Sequence, residues 1–162
     1  MMILESIDFK NNEIMDKKFT CDAEDFSPHL RWYDAPEGTK SYALSFTRPD
    51  RDLGEINHWY VYNIPLEVNE IEQDGNVPGV DVENDFCTLN YEGPNAADGV
   101  KKYIFRVYAL DVEKLEGLNN QNFKRIIRQH TIEHTELTGL YERKSIPKSS
   151  DSCGGCGTSN QF

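Results

Sequence analysis

Three small groups of residues in this 162-residue chain could do chemistry. His130, Glu133 and His134 spell H-x-x-E-H, the inverted zinc-protease signature. On a helix, two such histidines point the same way and could share a zinc ion, with the glutamate as general base. Cys153 and Cys156 spell C-G-G-C, a pattern that binds metal, cycles between dithiol and disulfide, or does neither. Asp50 and His58 are a carboxylate and an imidazole of the kind that pair as orienting acid and base.

Each group also has a plainer reading. Phe123, Ile126, Ile127, His130, His134 and Leu137 recur at three- and four-residue steps, the stripe of any amphipathic helix. A zinc hydrolase needs a third protein ligand, and the chain beyond His134 is mostly a polar tail. A redox C-x-x-C opens a helix in a βαβ setting, which this one does not; a zinc site at Cys153 and Cys156 would need two more ligands, as a partner chain could lend. No G-x-S-x-G elbow is present, and Ser27 before Pro28 is not in such a turn, so Asp50 and His58 have no nucleophile beside them. A hydrolase or metal-dependent enzyme using His58 or the His130/His134 helix is thus the alternative to a non-enzymatic protein that needs no cofactor.

The elements that must hold these residues read mostly as strands. Segments 41–47 and 58–64 are apolar, aromatic and β-branched, and Pro65 ends the second. In 102–110, Tyr103, Phe105, Val107 and Ala109 face one way, with Lys102, Ile104, Arg106, Tyr108 and Leu110 opposite. Both faces are partly apolar, as in a central strand covered on both sides. Weaker strands are expected near 15–20 and 29–33. Stretches 48–57, 66–85 and 90–100 are rich in Gly, Pro, Asp and Asn and read as loops, long enough to carry function. One helix is expected over about 119–136, capped by Asn119 and Asn120 and stopped by Gly139. From Lys144 the apolar pattern is lost, so the expected division is a domain over 1–143 and a flexible polar tail over 144–162. Strands followed by one late helix predict a mainly β, antiparallel sandwich-like domain.

Composition bounds the function. Charged residues make up 28% and hydrophobic ones 38%, ordinary for a soluble domain with a proper core. A net charge of −11 disfavours non-specific binding to nucleic acid or anionic membrane. No apolar run is long enough for a membrane span. The opening residues MMILESIDFKNNEI lack a basic n-region and an apolar h-region, so a cytoplasmic protein is expected, with Cys21 and Cys87 as free thiols.

Four segments carry a resemblance. "FTCDAEDFSPHLRW" (19–32), "SYALSFTRPDRDLGEINHWYVYNIP" (41–65) and "NDFCTLNYEGPNAADGVKKYIFRVYALD" (84–111) are succeeded by the "ELTGLYER" ending. In order and spacing they are similar to the motifs of the phosphatidylethanolamine-binding proteins, in their bacterial and archaeal Raf-kinase-inhibitor-like branch. The resemblance implies a large antiparallel sheet packed on a smaller one, with a C-terminal helix alongside. It implies a small anion-binding pocket at one end of the sheet, for phosphate or a phospho-headgroup. It also allows a kinase or protease partner and a homodimer.

Aligned by motif, the family pocket falls on Asp50, His58 and Tyr103, bordered by Gly93 and Pro94. The chain departs from the pattern at Ala23, Cys87, Ala96 and Ala97, and at two positions that change the charge: Arg48 stands where the family has an acid, and Lys101 where it has a histidine. Both changes favour anions if the side chains turn inward, since Arg48 could hold an oxyanion through two parallel hydrogen bonds. The opposite outcome is that both snorkel to solvent, or that Arg48 pairs with Asp50 or Asp52 and plugs the pocket. Plainer roles are open to the others as well: His58 capping the sheet edge, Tyr103 as a strand aromatic, Asp50 as a turn former.

Overall fold

The computed structural model describes residues 1–96 and 99–143. Its elements run β1 (Ile3–Glu5), β2 (Glu13–Ile14), β3 (Leu30–Tyr33), β4 (Ser41–Asp50), β5 (Gly54–Pro65), β6 (Glu70–Ile71), β7 (Val80–Val82), β8 (Val100–Leu110), α1 (Phe123–His130) and β9 (Thr131–Glu142). Six strands in the order β2-β9-β8-β4-β5-β7 make the large sheet, and β1-β3-β6 the small one. Every pairing is antiparallel except β2 on β9.

Period-two patterning divides the large sheet into two covered faces. Tyr42, Leu44 and Phe46 of β4, Trp59 and Val61 of β5, and Tyr103, Phe105 and Val107 of β8 meet Leu30 and Trp32 of β3 in the main core. The opposite residues Ala43, Tyr60, Tyr62 and Leu110 form a smaller core with Phe123 and Ile127 of α1. Tyr60 stacks on Phe123 at 4.0 Å between ring centroids. The expected alternation of β8 is therefore observed, with its second face covered by α1.

The helix departs from expectation. It ends at His130, and Thr131 closes it by donating from its hydroxyl to the Ile127 carbonyl at 2.7 Å. Asn119 and Asn120 do not cap it: Asn122 is the N-cap and makes no side-chain cap bond, while Asn119 Oδ1 accepts from the amides of Gln121 and Asn122 in the preceding turn. From Thr131 onward the chain forms β9, which pairs with β8 along its length, Leu137 opposite Phe105 and Glu136 opposite Arg106. The open edge of β8 offered a ladder of backbone bonds that outweighs the weak helix propensity of a Thr-rich segment. Gly139 is thus not a helix stop. It lies within β9, where a Cβ would come 2.5 Å from Met15.

Other boundaries moved too. Segment 15–20 contains a 3₁₀ turn, Lys17–Phe19, in place of a strand. Strands β4 and β5 run far into 48–57, leaving only 51–53 as the hairpin turn.

Candidate functional site

His58 owes its position to a register defect. Phe46 pairs with Trp59 and Thr47 with Asn57, so one step on β4 is matched by two on β5, and His58 is the extra residue. A bulge of this kind re-aims a side chain and bends the strand. The His58 ring, 0% exposed, sits among Phe86, Tyr103 and Phe46, with centroids 4.8, 5.5 and 5.7 Å away.

The loop over 84–96 is tied onto His58 from both sides. His58 Nδ1 lies 2.7 Å from the Glu92 carbonyl oxygen, and the Glu92 amide donates back to the His58 carbonyl at 3.1 Å. Asn84 holds the rest of the loop: its Nδ2 donates to the carbonyls of His58 and Asn90, and its Oδ1 accepts from the amides of Phe86 and Thr88. Gly93 donates its amide to Asp25 Oδ1 at 2.9 Å. A Cβ at Gly93 would lie 2.2 Å from that oxygen and 2.4 Å from the Phe19 carbonyl, so only glycine fits. Pro94 is buried beside it, and its carbonyl accepts the Cys21 amide at 3.2 Å. Tyr103, 0% exposed, accepts the Ala96 amide at its hydroxyl at 3.3 Å.

Arg48 continues the inner face of β4 beyond Phe46. Its side chain is only 16% exposed, and Nη1 stands 3.5 Å from Asp50 Oδ1. Asp50 itself uses Oδ2 to accept the amides of Asp52 and Leu53, so it is a turn former as well as a partner for Arg48. Lys101 lies opposite Tyr141 on β8, two positions before Tyr103, and is half-buried. The structure thus gathers Arg48, His58, Gly93, Pro94, Tyr103 and Lys101 at one end of the large sheet, with Asp50 at the rim.

Four buried side-chain nitrogen or oxygen atoms among the described residues make no hydrogen bond, and two of them belong here: Arg48 Nε and His58 Nε2. Burial pulls the His58 imidazole down to about 4, opposed by the Glu92 carbonyl and reinforced by the Arg48 charge. Asp25 behaves in the reverse sense: burial, then the nearby Glu92 carboxylate, push it up to about 7.

Sequence reasoning passed over Asn84, Phe86, Glu92 and Asp25 as site residues, although "NDF" and "CDAED" both lay within the matched segments. It also passed over Arg143, which pairs with Asp22 and donates to the Asn95 carbonyl at 2.8 Å, bracing the same loop.

The zinc motif dissolves. His130 ends α1 and pairs with Asp111 at 3.0 Å, while His134 lies out on β9 with a side chain 48% exposed, 3.4 Å from Glu136. Glu133 accepts the Met2 amide. Cys21 and Cys87 are each disulfide-bonded, not free thiols. Cys21, Asp25 and Glu92 place possible ligand atoms within 4.8 Å of one another, but a disulfide sulfur is no thiolate ligand. Cys153 and Cys156 lie outside the described residues. A separate cleft of about 400 Å³ is lined by Asp81, Glu83, Asp85 and Asn120 among others; none of the expected site residues lines it, and its carboxylates suit no anion. No helix among the described residues is long and apolar enough to cross a membrane.

Comparison with known proteins agrees with this fold. The family model described as "Phosphatidylethanolamine-binding protein" matches residues 5–142. A UPF0098 protein of Aquifex aeolicus is 37% identical over 153 residues, covering 88% of this chain and 90% of its own. One from Methanothermobacter thermautotrophicus is 35% identical over 150 residues, covering 88% and 99%. Among solved structures, E. coli YbcL superposes with a TM-score of 0.81 at 28% identity, covering 88% of this chain and 99% of its own. The Chlamydia trachomatis homologue CT736 superposes at 0.80 with 31% identity, covering 88% and 98%. The chain belongs to the phosphatidylethanolamine-binding protein family.

Proposed function

We propose that the chain is a non-enzymatic binding protein that captures a small phosphate- or carboxylate-bearing anion at Arg48, Asp50, His58, Gly93, Pro94, Lys101 and Tyr103. The observation that carries this reading is the Arg48 guanidinium: inward, largely buried, and with a nitrogen that meets no acceptor. A buried donor without a partner costs about 1–3 kcal/mol, a cost that an incoming oxyanion removes. Asp50 at 3.5 Å is too distant to satisfy the whole guanidinium, so its pairing with Arg48 leaves donors open to a ligand. Lys101 and the Tyr103 hydroxyl supply further donors at the same end of the sheet.

No nucleophile accompanies His58, whose ring is held by the Glu92 carbonyl, and this disfavours a hydrolase. Modulation of a kinase or protease would act through the 84–96 loop around the site. The cytoplasmic expectation rested on the opening residues and carried free thiols as its consequence; two disulfide-bonded cysteines fit an oxidising compartment better. Phosphate titration followed by calorimetry, on the intact chain and on Arg48→Met, tests the reading. Millimolar or tighter binding that the variant loses supports it; a flat titration of the intact chain into tens of millimolar overturns it.

A further inference from the structure

Resting on that reading, we infer that the site selects oxyanions bearing an O–H group, namely hydrogen phosphate and phosphomonoester monoanions, and rejects sulfate, carboxylates and phosphodiesters. The tautomer of His58 decides this. Its Nδ1 faces the Glu92 carbonyl oxygen at 2.7 Å, and a carbonyl oxygen only accepts, so Nδ1 carries the proton. In the neutral ring Nε2 is then a lone pair: a buried acceptor with no donor. Arg48 Nε is the reverse, a buried donor with no acceptor. Arg48 stands two residues beyond Phe46 on the same face of β4, and the Phe46 ring packs against His58 at 5.7 Å, so both idle atoms lie at one end of the sheet.

Only a ligand with both functions satisfies the pair. A monoprotonated phosphate offers an unprotonated oxygen to Arg48 and its P–O–H to His58 Nε2. Sulfate, a carboxylate or a phosphodiester would set an oxygen lone pair against the Nε2 lone pair. These anions could escape that repulsion only by loading a proton onto His58. The full burial of the ring and the Arg48 charge make that a costly step, against which the backbone of Glu92 and Gly93 and the Asp85 carboxylate act in its favour. Glu92 turns its carboxylate towards Thr88 and Cys21, where Oε1 accepts the Thr88 hydroxyl at 3.3 Å. A hydrogen-bonding site of this kind discriminates against an analogue lacking its hydroxyl by about tenfold or more.

The test uses the intact, oxidised chain at pH 6, where a phosphomonoester is partly monoanionic. Inorganic phosphate, methyl phosphate, dimethyl phosphate and sulfate are titrated separately, with the ¹⁵N signals of the His58 ring as readout. The expected result is binding of phosphate and methyl phosphate at least about tenfold tighter than the other two, with Nε2 moving upfield and Nδ1 staying protonated. Comparable affinity for all four overturns the selectivity and leaves the anion reading standing. Sulfate binding equally well with proton uptake on Nε2 also overturns it. No response to any of the four removes the anion reading and the selectivity together.

Discussion

Arg48 and Arg106 have the same side-chain exposure, 16%, on opposite faces of one sheet, and opposite fates. Arg106 is saturated: Nε donates to Glu136 at 2.8 Å, and Nη1 to Glu55 at 3.0 Å and Thr47 at 3.1 Å. Lys124 of α1 joins the same Glu55. Arg48 has one loose carboxylate and an idle Nε. The histidines repeat the contrast. His29, 2% exposed, accepts the Ile7 amide at Nδ1 and meets Glu70 at 2.6 Å; His58, 0% exposed, uses one nitrogen and leaves the other idle. A finished network holds a fold together. An unfinished one, kept buried at some loss of stability, is what the proposed anion would complete.

The harshest way to break this contrast is Gly93→Ala. The new methyl meets a backbone oxygen that cannot move aside, so the 92–95 loop shifts and His58 loses its Glu92 partner. A stability loss above about 3 kcal/mol by denaturant titration is expected, along with loss of phosphate binding. A variant as stable as the parent would show that the loop is not clamped as described.

Next is the paired comparison of arginines. Arg106→Met takes a partner from Glu55, which keeps Lys124, and from Glu136, which keeps His134, and should cost about 1–2 kcal/mol. Arg48→Met should cost almost nothing in thermal unfolding while abolishing phosphate binding. The reverse ranking of stabilities would erase the distinction.

Proton linkage sharpens it further. Asp25 rises from 3.8 to about 7, so the folded chain keeps a proton that the unfolded chain releases, and stability falls as pH climbs from about 4 to about 7. His58 drops from 6.5 to about 4, so its contribution is lost as pH falls through that window. The two slopes oppose each other between about 4 and 6.5. In Asp25→Asn the opposing slope is gone: Tm should rise with pH more steeply there than in the parent, and the variant should gain up to about 4 kcal/mol on the parent between pH 4 and pH 8. Parallel Tm profiles for parent and variant would refute the assignment.

The smallest effect is expected at His134→Ala. Its side chain is half exposed on β9, so the change should stay within about 0.5 kcal/mol, with no zinc lost from protein purified without chelator. Stoichiometric zinc that disappears in the variant would revive the protease motif.

What the sequence revealed and what it hid have separate physical causes. The alternation in 102–110 is a local pattern, and β8 follows it residue for residue. "QHTIEHTEL" was misread because a three- and four-residue stripe coincides with a two-residue one over a short span, and only the waiting edge of β8 decides between them. The positions of Arg48, His58 and Tyr103 were reachable through motif resemblance. The idle nitrogens were not, because they depend on where the Glu92 carbonyl and Asp50 come to rest. Neither the bulge that makes His58 the extra residue nor the rotation of Arg48 leaves a mark on hydropathy.

The order of the large sheet bears on how the chain is made. β9, residues 131–142, covers one edge of β8 and takes β2, residues 13–14, on its own far edge. At a translation rate of about 5–20 residues per second, roughly 6–23 s separate synthesis of β2 from the start of β9. Throughout that interval β2 has no strand to dock on, and for the last roughly 1–4 s of it, from Leu110 to Thr131, the strand bearing Tyr103, Phe105 and Val107 lacks a neighbour on one side. Nascent chains stalled before Thr131 should therefore be the sticky ones, recovered with holdase chaperones, while chains released after Glu142 close their own sheet.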